Sequence, residues 1–162
     1  MIIKWFGQKA IQIKSRNRIV AVDSFSEKIG LKMPVLRADI LLLTDRSPEI
    51  DPKKVQPRKG GKLFTIDSPG EYEVKEVMVK GIQAQKTTIY TIYSENISIG
   101  LLGSLNQKEL TDQQLDDLNK IDILFLPIGN QDSLNSEEAA DLSQQIEPRI
   151  IIPIFYQVPG LK

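Results

Sequence analysis

The sequence predicts a mixed α/β sandwich in which helices cover the outer faces of β-sheet. The first third of the chain contains short β-branched segments separated by turn residues, and the middle contains further segments of this type. The last third alternates strand and helix with short connections, which predicts right-handed βαβ units and parallel pairing. These observations together indicate an α+β or mixed α/β fold.

The first part of the chain is typical of an antiparallel meander followed by a buried strand. Turn residues separate three apolar or alternating segments, at residues 2–6, 10–14 and 18–22. The segment 39–44, whose apolar residues 40–43 lie between Asp39 and Thr44, predicts a strand buried on both faces. Residues 45–62 have no periodicity and contain three prolines and a Gly-Gly pair, so we predict a long loop there.

Helix signals appear in the last third of the chain. Thr111 and Gln114 have the spacing of a capping box, and Asn135, followed by Glu138, starts a second helix. Each predicted helix precedes an apolar segment that we expect to be a buried strand. The predicted strands beyond the long loop cover residues 63–66, 72–74, 77–83, 87–93, 97–101, 122–127 and 149–153.

Composition excludes several classes of site. The 162 residues are the length of one compact domain, so we expect a single domain over residues 1–162. The chain has no Cys and no His, which excludes disulfides, thiol nucleophiles and Ser-His-Asp triads. Its 21 basic and 21 acidic residues give no general attraction to nucleic acid. Because no apolar segment approaches the roughly 18 residues of a membrane span, we expect a cytoplasmic protein without a membrane partner.

Nine segments occur in one order along nearly the whole chain. They are WFGQ (5–8), VDSF (22–25), ADILLLT (38–44), SPGEYEV (68–74), TIY (88–90), LGSL (102–105), LTDQQL (110–115), IDILFLPIG (121–129) and PRIIIP (148–153). In this order they resemble the metallo-β-lactamase superfamily, in its short zinc-dependent hydrolase-like branch. The resemblance implies a four-layer αββα sandwich, with the site built from loops at one edge.

The same resemblance implies that the metal ligands of the family are absent. The family signature Thr-His-x-His-x-Asp-His corresponds here to TDRSPEI at residues 44–50. Zinc prefers nitrogen and sulfur donors, and Ile, Leu and Phe side chains supply none. We therefore expect no zinc and no catalytic residue at the former ligand positions, which are Gln8, Asp45, Ser47, Glu49, Ile50, Leu101, Ser104 and Phe155.

Several functions are compatible with this pattern. We expect a catalytically inactive protein that acts by binding, scaffolding or self-association, with an unidentified protein or a second copy as its partner. The alternative is a divergent hydrolase in which Asp23, Asp45 and Glu49 hold Mg²⁺ or Mn²⁺ to activate water, or bind Mg²⁺ or Ca²⁺ weakly. A weaker alternative is a nucleic-acid accessory protein acting through the basic loop 53–62. Nucleic acid is not the expected partner, since the loop carries no aromatic stacking platform.

Two further expectations concern single side chains. Ser104 would act as a nucleophile only beside a lysine base, and the sequence alone places no lysine there. Aromatic side chains are expected to fill the core between the two sheets. The residues concerned are Trp5, Phe6, Phe64, Phe125 and Phe155.

Overall fold

The structure is a computed structural model that describes residues 1–129, 133–157 and 161. Its regular elements follow the predicted order. The strands are β1 (Ile2–Gly7), β2 (Ala10–Ser15), β3 (Arg18–Val22), β4 (Leu36–Ala38), β5 (Ile40–Leu42), β6 (Val55–Pro57), β7 (Phe64–Ile66), β8 (Gly70–Val74), β9 (Val77–Gln83), β10 (Thr88–Ser94), β11 (Ile97–Leu101), β12 (Ile123–Pro127) and β13 (Ile150–Ile154), and the helices are α1 (Asp112–Asp117) and α2 (Ser136–Ile146).

Two sheets are packed face to face. One has five strands in the order β1-β2-β3-β5-β7, and the other has six in the order β13-β12-β11-β10-β9-β8. Strands β11, β12 and β13 are parallel, as the βαβ pattern predicts. In the five-stranded sheet, β1 is antiparallel to β2, β2 is antiparallel to β3, and β3 is parallel to β5. Strands β1, β3 and β5 therefore run in the same direction and end at the same edge.

The layers confirm the predicted mixed α/β sandwich. Apolar side chains of the two inner faces form one core, in which Ile11 and Ile40 of the first sheet meet Tyr90 and Phe125 of the second. Helices α1 and α2 cover the outer face of the six-stranded sheet. The outer face of the five-stranded sheet is covered instead by the segment that contains the 3₁₀ turn Glu27–Ile29 and by the small β4–β6 sheet.

Local sequence signals explain both helices. Thr111 and Asn135 are the N-caps, and each forms a complete capping box with the residue three positions later, Gln114 or Glu138. Helix α2 buries Ala139, Leu142 and Ile146 on one face, as its spacing predicts. Within the described residues, no helix is long and apolar enough to cross a membrane.

The structure corrects three details of the sequence interpretation. Residues 45–62 are not one irregular loop, because they contain the 3₁₀ turn Pro52–Lys54 and strand β6, which pairs with β4. Strand β13 is an edge strand, so Ile150 and Ile151 are exposed rather than buried. Trp5 and Phe64 are also exposed, whereas the expected core positions of Phe125 and Phe155 are confirmed.

Candidate functional site

The candidate site lies where parallel strands of both sheets end. Lys9 follows β1 in the tight turn to β2, and Asp45 follows β5 in the same sheet. Ser104 and Phe155 follow β11 and β13 of the other sheet. Because the carboxyl ends of parallel strands meet at one edge, four distant segments of the chain converge there.

A buried ion pair forms the centre of this edge. The Lys9 ammonium and the Ser104 hydroxyl both donate to Oδ2 of Asp45, each over 2.5 Å. The backbone N–H of Ser47 donates to Oδ1 of the same carboxylate over 2.9 Å. The Lys9 and Asp45 side chains are each only 9% exposed. The carboxylate of Asp45 thus has a donor on each oxygen and a cation in contact.

The Phe155 ring also contacts the lysine. The Lys9 ammonium lies 5.0 Å from the centroid of the Phe155 ring, within the range of a cation–π contact. Burial acts to raise the pKa of Asp45, but the charge of Lys9 and the hydrogen bonds from Lys9, Ser104 and Ser47 outweigh it and lower the pKa. Asp45 is therefore ionised at neutral pH.

A polar pocket of about 370 Å³ opens above this ion pair. Its rim carries two cationic residues, Arg46 and Lys86, and one acidic residue, Glu49. The lining residues are Lys9, Asp45, Arg46, Ser47, Glu49, Lys86, Ser104, Asn106 and Phe155. The pocket thus contains five of the eight expected former ligand positions.

The other three positions lie beside the pocket. Gln8 and Ile50 line a small crevice of about 10 Å³ behind Phe155. The backbone carbonyl of Gln8 accepts hydrogen bonds from the Trp5 indole over 3.0 Å and from the Phe155 N–H over 3.3 Å. Leu101 is buried between the sheets, in the same core cluster as Phe155.

Asp23 belongs to a separate buried cluster. Its two carboxylate oxygens accept from the Thr44 N–H over 2.9 Å and from the Thr44 hydroxyl over 2.6 Å. Burial raises the pKa of Asp23 to about 6, against the opposing effects of Lys9 and the Thr44 hydrogen bonds. Asp23 is absent from the lining of the pocket, and both its oxygens are engaged in tying the end of β3 to the end of β5.

The described residues do not fit a family-type metal ion. Among them, no three His, Cys, Asp or Glu side chains are grouped so as to hold one. At the ion pair itself the available carboxylate is that of Asp45, and its Oδ2 already accepts from the Lys9 ammonium. The neighbouring Phe155 ring offers no donor atom to a metal ion. Asp23, Asp45 and Glu49 thus do not form the ligand set that the Mg²⁺ or Mn²⁺ alternative requires.

Lys9 is the central residue that sequence reasoning missed. The segment WFGQ at residues 5–8 made Gln8 the candidate in this turn. Gln8 does not line the pocket, whereas the next residue, Lys9, does. Lys9 also answers the requirement for a lysine near Ser104, since both side chains contact the same oxygen of Asp45. The carboxylate of Asp45 accepts a hydrogen bond from the Ser104 hydroxyl, but its lowered pKa makes it a weak base. This geometry therefore does not activate Ser104 as a nucleophile. The sequence signal for Lys9 was its position directly before the alternating segment 10–14.

The basic loop lies away from the pocket. None of its cationic residues lines the cavity above Asp45. Arg58 contacts Asp39 over 3.0 Å, and Lys54 contacts Glu27 over 2.8 Å. These two side chains therefore serve the outer layer of the five-stranded sheet, and the loop is not a continuation of the candidate site.

Comparison with known proteins identifies the family. The family model described as the beta-lactamase superfamily domain matches residues 2–155. The chain belongs to the metallo-β-lactamase superfamily. A UPF0173 protein of Pyrococcus abyssi is 26% identical over 99% of this chain and 85% of its own length. A UPF0173 metal-dependent hydrolase of Bacillus cereus is 22% identical over 96% of the chain and 86% of its own length.

Solved structures give the same fold. A candidate Zn-dependent hydrolase of the metallo-β-lactamase superfamily from Thermotoga maritima superposes with a TM-score of 0.85 at 26% identity, covering 99% of this chain and 78% of that one. The short form of human tRNase Z has a TM-score of 0.70 at 10% identity, covering 95% and 92%. Relatives of this superfamily member are thus named as metal-dependent hydrolases, whereas its own pocket contains a lysine–aspartate pair.

Proposed function

We propose that this superfamily member binds a small molecule carrying an anionic group, without a metal ion and without hydrolysing the molecule. The observation that carries the proposal is the ion pair at the base of the pocket. The Lys9 ammonium occupies Oδ2 of Asp45, at the position where the resemblance places a metal ligand. A pocket of about 370 Å³ remains above it, with room for a small ligand.

The charges around the pocket favour an anionic ligand. Lys9 neutralises Asp45 at the base, which leaves Arg46 and Lys86 against Glu49 on the rim. Arg46 contacts Asp67 over 3.3 Å, but its side chain is 83% exposed, so this pair is weak and yields readily to a ligand. The Asn106 amide adds a polar group that either donates or accepts.

The chemistry of the same residues supports a function without hydrolysis. Water activation by a metal requires several oxygen, nitrogen or sulfur donors that face one position. The centre offers one carboxylate, which is already paired, and a serine hydroxyl that donates to it. The names of the relatives favour the competing function, metal-dependent hydrolysis, and the experiment must separate the two.

Calorimetric titration with inorganic pyrophosphate at fixed ionic strength tests ligand binding. We expect saturable binding by the wild type, about tenfold weaker in Lys86→Ala because one charge contact is lost. Lys53→Ala is the matched control, since Lys53 lies outside the pocket, and it should bind like the wild type. Equal affinity of Lys86→Ala and Lys53→Ala would place binding elsewhere and contradict the proposal.

Metal content and hydrolysis are measured on the same preparation, purified without chelator. We expect less than 0.1 equivalent of zinc, manganese or iron, and no hydrolysis of phosphodiester, ester or lactam substrates with or without added Zn²⁺ or Mn²⁺. Stoichiometric metal together with turnover that EDTA abolishes would establish the chemistry for which the relatives are named and overturn the proposal.

A further inference from the structure

We propose that the Lys9 ammonium takes the structural place of the metal ion and is the cation that holds together the loops of the two sheets. This inference rests on the metal independence proposed above, but it concerns how the edge is held together rather than which ligand it binds. Lys9 would act as a built-in monovalent cation, supplied by the chain itself.

The position of the ammonium supports this role. Lys9 and Asp45 follow strands of the five-stranded sheet, and Ser104 and Phe155 follow strands of the six-stranded sheet. The ammonium and the Ser104 hydroxyl share Oδ2 of Asp45, and the ammonium also lies 5.0 Å from the centroid of the Phe155 ring. One charge thus connects loops of both sheets.

The available ligands distinguish an ammonium from a divalent ion at this position. Asp45 contributes one negative charge and Lys9 one positive charge, and both side chains are almost buried. A divalent ion in the same space would lack ligands, because Phe155 provides only the face of a ring and both oxygens of Asp23 are already engaged by Thr44. An ammonium has three donors and a single charge, so one carboxylate and one ring satisfy much of what it needs.

The hydrogen bonding of the buried polar atoms supports this assignment. Both oxygens of Asp45 have donors, and among the described residues no buried side-chain nitrogen or oxygen lacks a hydrogen-bond partner. A metal ion added to this arrangement would have to displace Lys9 from Asp45, which would leave the ammonium buried without its counterion.

A charge-removal series tests the inference by thermal unfolding. Lys9→Met leaves Asp45 buried without a cation and should lower the midpoint by roughly 10 °C. Lys9→Met combined with Asp45→Asn removes both charges and should recover at least half of that loss. Lys4→Met is the matched control, because Lys4 is an exposed lysine on β1, and it should shift the midpoint by less than roughly 2 °C.

Chemical rescue gives a readout that a purely steric role would not produce. Lys9→Ala should gain stability from 50 mM methylammonium chloride, whereas the wild type should not, and tetramethylammonium chloride at the same concentration should have no such effect because it cannot donate hydrogen bonds. If the double variant is no more stable than Lys9→Met, or methylammonium fails to rescue Lys9→Ala selectively, the inference is wrong.

The two proposals fail in different ways. A midpoint of the wild type that falls in EDTA would show that a metal ion, not Lys9, holds the edge, and would overturn this inference. Loss of pyrophosphate binding with an intact Lys9 series would overturn only the proposed ligand. The lysine series is therefore informative whatever the pocket binds.

Discussion

Thr44 and Asp45 are adjacent in the chain, but they belong to two polar clusters of opposite character. In the first, the buried carboxylate of Asp23 is held by the neutral hydrogen-bond donors of Thr44. In the second, the carboxylate of Asp45 is held by the Lys9 ammonium. The pKa of Asp23 is raised to about 6, whereas the pKa of Asp45 is lowered.

The difference separates a polar cluster within one sheet from a polar cluster between the two sheets. The Asp23–Thr44 cluster joins the ends of two strands of one sheet through hydrogen bonds. The Lys9–Asp45 cluster joins segments of both sheets, and there a cation offsets a buried carboxylate. This edge thus carries a buried charge pair that the chain itself supplies.

Substitution at Gly103 should produce the largest effect, because this residue packs against the first cluster and directly precedes Ser104 of the second. A Cβ at Gly103 would lie 2.5 Å from the Thr87 hydroxyl and 2.7 Å from Cβ of Thr44, at a φ of +61°. Gly103→Ala should lower the free energy of unfolding by about 3 kcal/mol, through overpacking and the left-handed conformation. Urea denaturation measures this change.

Gly60→Ala is the matched control for the backbone contribution. Gly60 has a φ of +74°, but a Cβ there would meet no atom within 4 Å. We expect a loss of about 1 kcal/mol from conformation alone. Equal losses at the two glycines would mean that the packing around Thr44 is loose and that the two clusters are not mechanically coupled through this position.

The pH dependence of stability separates the two carboxylates. The folded pKa of Asp23 lies above its ordinary value of 3.8, so the folded state holds a proton that the unfolded state releases between about pH 4 and 6. Stability is therefore lost as the pH rises through this window. Relative to Asp23→Asn, the wild type should lose about 2 kcal/mol between pH 4 and pH 7, measured by urea denaturation at each pH.

The contribution of Asp45 to the pH dependence of stability should have the opposite sign. Its folded pKa lies below 3.8, so its stabilising contribution is present at neutral pH and is lost only as the pH falls through that lower pKa. An Asp45→Asn variant should therefore retain the decline between pH 4 and 7 that Asp23→Asn removes. The same decline in both variants would show that Asp23 does not titrate in the folded protein as its burial requires.

The sequence predicted the scaffold better than the site for a physical reason. Capping boxes at Thr111 and Asn135 and the apolar strands are local patterns, and local patterns determine local structure. The exposure of β13 was missed because a run of apolar residues looks the same in a central strand and at an edge.

The site depended on pairs that no local pattern reveals. Asp45 was a candidate because it occupies a family ligand position, but its partner Lys9 is 36 residues away and aligns with no ligand position. Asp23 was also a candidate. Its absence from the pocket lining depends on how the ends of β3 and β5 are oriented in the sheet. Long-range side-chain pairing had to be observed in the structure.

Arg46 offers the smallest and sharpest test of the comparison, since it directly follows Asp45 and is also a cation beside the pocket. Its side chain is 83% exposed and its contact with Asp67 is 3.3 Å, so Arg46→Ala should change the free energy of unfolding by less than about 0.5 kcal/mol. The same variant should weaken pyrophosphate binding, because Arg46 is on the rim. A stability loss as large as that of Lys9→Met would mean that exposed and buried cations contribute alike, and the distinction between the rim and the buried ion pair would have to be abandoned.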